Sequence, residues 1–109
     1  MSEPVPSVLV TEVPADAVLL DVREDHEWAA GHAPGALHVP LGDLPARLGE
    51  LPADEELHVL CRAGGRAARA AAWLVANGVD AVVVEGGMGA WQDAGRPLEA
   101  DPGESPRVL

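Results

Sequence analysis

The sequence predicts an α/β domain built on a five-stranded parallel sheet covered by helices on both faces, and three observations lead there. Short apolar runs of strand length alternate with blocks of helix formers along the chain. The connections between them are short, as parallel crossovers in a small domain require. The apolar set is dominated by Ala, Val and Leu, with three Trp as the only aromatics and no Phe or Tyr. Small side chains of this kind let helices lie close on a parallel sheet. At 109 residues and 48% hydrophobic content the chain is sized for one core, which we place in residues 1–98.

The elements follow in order. Residues 7–13 and 17–22 read as buried strands, the second ending in Asp21-Val22-Arg23. Residues 24–30 read as a short helix closed by Gly31, and 36–39 as a short strand ahead of Pro40. Asp43 is an N-cap candidate for a helix reaching towards Leu51, where Pro52 stops it. Residues 57–60 form a compact apolar strand with Cys61 directly after it. Residues 66–77 carry strong helix formers and end at Asn77-Gly78. Residues 81–84 are the most β-branched stretch and read as a central strand. Gly86-Gly87-Met88-Gly89 turns the chain into a last helix around Trp91, ended by Gly95 and Pro97. Residues 99–109, with two prolines, a glycine and several charges, read as a loose tail.

Composition narrows the function. The net charge is −11 and the seven basic residues are all Arg, so nucleic acid and anionic membrane surfaces are poor partners. One cysteine cannot form an intramolecular disulfide or a multi-cysteine metal site. The four histidines lie on different elements without the pairing a metal needs, so no metal and no cofactor is expected. Met1-Ser2-Glu3-Pro4 lacks a basic region followed by an apolar run, and no apolar run approaches the roughly 20 residues of a membrane helix. A free thiol in such a chain is expected in a reducing cytoplasm.

The chemistry concentrates at Cys61-Arg62-Ala63-Gly64-Gly65-Arg66, where a strand ends, two glycines permit a tight loop and a helix begins. Ligands of open α/β sheets bind outside the carboxyl ends of strands. A glycine loop there can turn its N–H groups inward and form an anion-binding cup above the helix N-terminus. All 18 acids lie outside residues 57–79, a stretch that holds Arg62, Arg66 and Arg69. Helix dipole, loop amides and guanidinium groups together favour the thiolate, the nucleophilic form. The bland alternatives are a small buried hydrophobe at Cys61 and a solvated helix face at the three arginines.

These residues resemble the rhodanese-like sulfurtransferases along most of the chain. Asp21-Val22-Arg23, Glu27-Trp28, Gly31-His32, Gly35-Ala36 and Pro40 are similar to the family's upstream signature. Cys61 to Arg66 resembles its active-site loop, and Gly86-Gly87-Met88 with Trp91 and Gly95-Arg96-Pro97 its closing motif. The resemblance implies a three-layer α/β/α fold and a two-step sulfur transfer through a Cys61 persulfide. The donor would be anionic, such as thiosulfate, and the acceptor cyanide or a protein or small thiol. Backbone amides from Arg62 through Ala63, Gly64 and Gly65 to Arg66 would cradle the sulfur, and Arg62 and Arg66 would hold the donor's sulfonate. Dual-specificity phosphatases on this fold use a longer Cys-x5-Arg loop, whereas four residues separate Cys61 from Arg66. That spacing disfavours a phosphatase or arsenate reductase. Arg62 directly after the cysteine resembles thiosulfate users more than mercaptopyruvate users. Ala67 departs from relatives that carry a hydroxyl there.

Other readings stay open. Asp21 either supports the loop or serves as a partner of Arg23 or a helix cap. Arg23 is expected to tie the upstream motif to Glu27, and His32 to be a structural hydrogen-bonder. Trp28, Trp73 and Trp91 read as core anchors, with Trp91 at the border of the pocket. The alternative function is a persulfide carrier or interaction module for a partner protein, with weak turnover of small molecules.

Overall fold

The computed structural model describes residues 5–109. Five strands, β1 (Ser7–Leu9), β2 (Val18–Asp21), β3 (Leu37–His38), β4 (Leu57–Leu60) and β5 (Ala81–Glu85), form one sheet in the order β1-β5-β4-β2-β3. Every pairing is parallel. Four helices accompany them: α1 (Asp25–Ala30), α2 (Leu44–Arg47), α3 (Gly65–Ala76) and α4 (Gly87–Asp93).

Period-two alternation of the strands splits the apolar residues between two faces. Leu20, Val22, Leu57, Val59 and Cys61 join Leu44 of α2 and Ala67, Ala70, Ala71 and Leu74 of α3 in one core. Leu19, Leu60 and Val84 pack with Met88 and Trp91 of α4 in the other. The fold is therefore the expected α/β/α arrangement. α3 can lie close because its buried face is mostly alanine.

Three local expectations need correction. β1 stops at Leu9, and Val10–Glu12 forms a 3-10 turn, because the Glu12 carboxylate accepts the Leu9 N–H and bends the chain off the sheet. β5 is interior, between β1 and β4, as expected of a central strand, and β4 beside it is buried at all four positions. The helix expected from Asp43 to Leu51 is broken into a 3-10 turn (Leu41–Asp43), one turn of α-helix and a second 3-10 turn (Leu48–Glu50). Asp43 makes no side-chain cap there, and Gly49 is a poor helix former that interrupts the run.

Residues 99–109 have little regular structure, but they are not loose. Glu99 and His32 exchange two backbone hydrogen bonds of 2.8 Å, and the N–H groups of Asp101 and Arg107 donate to the carbonyls of Ala29 and Ala30. The reason lies in α1: a six-residue helix leaves its last carbonyls without intrahelical donors, and this segment supplies them. Gly31 permits the approach, since a Cβ there would overlap the backbone of Arg107.

Candidate active site

β2 and β4 run in register to their carboxyl ends, where the Val22 N–H donates to the Leu60 carbonyl at 3.0 Å. Cys61 follows at once, and its side chain is only 1% exposed. The chain then reverses over Arg62, Ala63 and Gly64. Gly64 sits at φ +122°, a conformation that favours glycine, and its N–H donates to Cys61 Sγ at 2.9 Å. α3 begins at Gly65. Its first closing bond is Ala68 N–H to the Gly64 carbonyl at 2.9 Å, so the amides of Gly65, Arg66 and Ala67 have no intrahelical acceptor. The Cys61 sulfur, held by the Gly64 N–H, thus lies beside the N-terminal, positive end of a twelve-residue helix.

α4 shapes the same loop from the other side. The Met88 N–H donates to the Cys61 carbonyl at 2.7 Å, and the Gly89 N–H to the Arg62 carbonyl at 3.1 Å. In a trans peptide the N–H points away from the carbonyl. Fixing those two carbonyls on α4 therefore turns the N–H groups of Arg62 and Ala63 away from it. Gly87 and Gly89 make the contact possible. A Cβ on Gly87 would overlap the Cys61 carbonyl, and one on Gly89 would overlap the Arg62 guanidinium.

The two loop arginines differ. Arg66 Nη1 and Nη2 donate to Glu27 Oε1 and Oε2 at 2.6 and 2.9 Å, a two-pronged bond between α3 and α1. The Arg66 guanidinium holds the Glu27 carboxyl down to about 2, chiefly through that hydrogen bond, and Glu27 in turn raises Arg66 above its ordinary value. Arg62 is exposed and has no carboxylate partner among the described residues.

Asp21 does not reach the loop through a hydrogen bond. Its carboxylate is fully buried and accepts from the Arg23 backbone N–H, Nε and Nη2, while Arg23 Nη2 also donates to the Gly31 carbonyl at 2.7 Å. Arg23 thus ties Asp21, not Glu27, to the chain after α1. Glu27 is the residue whose role the sequence reading missed; its partner lies 39 positions away, and no local pattern signals it.

The remaining aromatic residues are structural. Trp28 is half-buried between two imidazoles, with His32 stacked at 3.7 Å on it and His38 at 4.6 Å. His32 Nδ1 lies 2.8 Å from the Trp28 carbonyl, so this nitrogen carries the proton and donates. Trp73 packs against the α3 core from a partly buried position. Trp91 is buried, its indole N–H donates to the Pro97 carbonyl, and Arg96 lies over its ring at 4.3 Å. It borders a cavity of about 470 Å³ lined by Pro14, Leu19, Pro34 and Arg96, but none of Cys61 to Arg66 lines that cavity. Among the described residues no three His, Cys, Asp or Glu side chains gather as a metal-binding group. No helix among them is long and apolar enough to cross a membrane.

Comparison with known proteins adds the family. The model of the rhodanese-like domain matches residues 8–94. The chain is 40% identical over 86 residues to YtwF of Bacillus subtilis (strain 168), provisionally named a sulfurtransferase, covering 79% of this chain and 84% of that one. It is 37% identical over 89 residues to a sulfurtransferase of Allochromatium vinosum, covering 81% and 83% respectively. Among solved structures it resembles the thiosulfate sulfurtransferase of Pseudomonas aeruginosa, with a TM-score of 0.78 and 28% identity. That match covers 96% of this chain and 22% of the other.

Proposed function

The chain belongs to the rhodanese-like domain family, its relatives support a general sulfurtransferase role, and on that premise we propose that it moves sulfane sulfur from an anionic donor such as thiosulfate to a thiophilic acceptor through a persulfide on Cys61. The Cys61 thiolate attacks the outer sulfur of the donor. A new S–S bond forms, the S–S bond of thiosulfate breaks, and sulfite leaves with the electron pair. An acceptor such as cyanide or a thiolate then attacks the outer sulfur of the persulfide and restores the Cys61 thiolate. Covalent catalysis of this kind needs no general base once the thiol is ionised.

One observation carries the reading: Cys61 Sγ accepts the Gly64 N–H at 2.9 Å, at the start of a helix whose first amides have no intrahelical acceptor. Amides aimed at a sulfur anion act without the reorganisation that water would need. The amides of Arg62, Ala63, Gly65 and Arg66 complete the cradle for the persulfide. Arg62 is the guanidinium we assign to the sulfonate of the donor, because Glu27 already occupies Arg66. Arg66 then acts as a positioning residue that anchors the start of α3. Asp21 supports the loop only indirectly, through Arg23 and the chain at Gly31. Thiosulfate as donor also accords with the named activity of the Pseudomonas aeruginosa structure. A reducing compartment such as the cytoplasm would keep the single thiol free.

The test is thiocyanate formation from thiosulfate and cyanide by the wild type and by Cys61→Ser. Turnover in the wild type that vanishes in the variant supports the reading. Equal turnover in both would place the sulfur elsewhere and overturn it. No turnover in either, with Cys61 still gaining one sulfur atom by mass, would favour the carrier for a partner protein.

A further inference from the structure

Two guanidinium groups leave the Cys61 loop, and different elements hold them. Arg62 lies along α4, so close that a Cβ on Gly89 would overlap its Nη1, and it is exposed and free of carboxylates among the described residues. Arg66 turns to α1, where its two terminal nitrogens donate to the two oxygens of Glu27. The bond is bidentate, and the Glu27 side chain is only 11% exposed. Its carboxyl is held at about 2, chiefly by the Arg66 hydrogen bond, so Glu27 stays ionised wherever a thiolate can work.

The pairing has an electrostatic consequence at the sulfur. Arg66 is raised above its ordinary value by Glu27 first and by the charge of Cys61 as well, so it lies within electrostatic reach of the reacting atom. Its positive charge there is already offset by a neighbouring carboxylate. Of the two loop arginines only Arg62 keeps an uncancelled charge. It stands against a Cys61 thiolate and a chain that carries −11 overall. One such cation can balance one charge on an incoming donor. A second charge on that donor finds no counterpart in the loop and is repelled by thiolate and chain alike.

We propose that Glu27 sets the charge specificity of the site: by holding Arg66, it makes the site favour sulfane donors with one negative charge, such as organic thiosulfonates, over dianions such as thiosulfate. The inference rests on the sulfur-transfer reading of Cys61 and narrows the donor class for it. Glu27 touches no donor atom and acts through Arg66, as a positioning residue. The chemistry is the same for both classes. The Cys61 thiolate attacks the outer sulfur, the donor's S–S bond breaks, and sulfite or a sulfinate leaves with the electron pair. Thiosulfate is still turned over; the selection lies in how well its second charge is tolerated.

The probes are thiosulfate and methanethiosulfonate, which share the transferred sulfur and differ by one charge. With cyanide as acceptor, kcat/KM is measured for each at low ionic strength, where charges are least screened. Each value is divided by that donor's rate constant with a free thiolate in solution. The wild type is expected to favour methanethiosulfonate. Glu27→Gln should raise the thiosulfate-to-methanethiosulfonate ratio at least threefold. Adding Arg66→Gln, which makes the pair neutral again, should return the ratio to the wild-type value. A role confined to stability changes both donors alike and leaves the ratio fixed, whatever fraction of a variant is folded. Equal or greater wild-type efficiency with thiosulfate, a smaller rise in Glu27→Gln, or a rise that the double variant keeps would overturn the proposal. Charge selection is also read without turnover, from the Gly64 amide resonance titrated with sulfate and with methanesulfonate. No turnover of either donor counts against the sulfur-transfer reading, and the binding ratio of the two anions then tests Glu27 alone. That ratio should move towards sulfate at least threefold in Glu27→Gln; a smaller change, or no binding of either anion, overturns the selection.

Discussion

Glu27 of α1 and Arg66 of α3 face each other carboxylate to guanidinium, with both oxygens and both terminal nitrogens engaged at 2.6 and 2.9 Å. The pair closes the helix bearing the loop onto the helix that follows β2. Glu27→Gln keeps the shape and removes the charge, so it should cost about 2 kcal/mol at neutral pH, the range of a hydrogen bond to a charged group. A carboxyl lowered to about 2 from 4.5 contributes stability that is fully present above pH 4.5 and lost as the pH falls towards 2. The urea midpoints of wild type and Glu27→Gln should therefore differ at pH 7 and converge as the pH falls from 4.5 towards 2. A gap that stays constant through that range would mean the pair does not form.

Gly87 touches the loop by lacking a side chain. Gly87→Ala places a methyl group on the Cys61 carbonyl at a residue with φ +55°, so it brings both overlap and backbone strain. Gly35→Ala is the control, with φ +77° and open space around the added carbon. Both should lose about 1 kcal/mol or more of stability from strain, but only Gly87→Ala should lower sulfur-transfer kcat, by at least tenfold. Equal kcat in the two variants would show that α4 does not orient the loop.

The Asp21–Arg23 pair has no exposed surface on either side chain. Asp21→Asn leaves Arg23 charged and poorly matched in the interior, and loss of one partner of a buried pair costs about 3–5 kcal/mol. That is a large share of the roughly 5–15 kcal/mol that holds a domain together. Denaturation should show the loss directly. A variant with near wild-type stability would mean that water, not Asp21, solvates Arg23.

Residues 99–109 should matter to stability. Ending the chain after Leu98 removes the backbone bonds to His32, Ala29 and Ala30 and the Val108 N–H bond to Gln92. A loss of about 1–3 kcal/mol is expected, since hydrogen bonds contribute roughly 1 kcal/mol each and ordering the segment offsets part of them. Unchanged thermal unfolding would restore the view of a loose tail.

What the sequence made legible was local. The run Leu57–Leu60 became β4 without change, and the helix expected from Arg66 begins one residue earlier, at Gly65. Apolar runs and glycine punctuation act over a few residues, which is why they read correctly. The tight turn after Cys61 was legible for the same reason, since Cys61, Gly64 and Gly65 lie within one loop. The grip of Glu27 on Arg66 was not, because nothing near either residue names the other. The docking of 99–109 was hidden too: prolines and charges describe a chain without its own structure, but the free carbonyls of α1 decide where it lies. Val10 failed as a strand residue because one side chain, Glu12, captured the Leu9 amide.

Cys61 sits 1% exposed at the floor of its loop. In the proposed cycle the attached sulfur stands about 2 Å further out, one S–S bond length from the first. The empty protein then hides its reactive atom and the loaded protein presents it at the rim. Bulky alkylating agents and large oxidants should discriminate between the two states, sparing the empty thiol and capturing the loaded one. The depth of a single residue thus doubles as a gauge of cargo, readable from outside by anything too wide to enter.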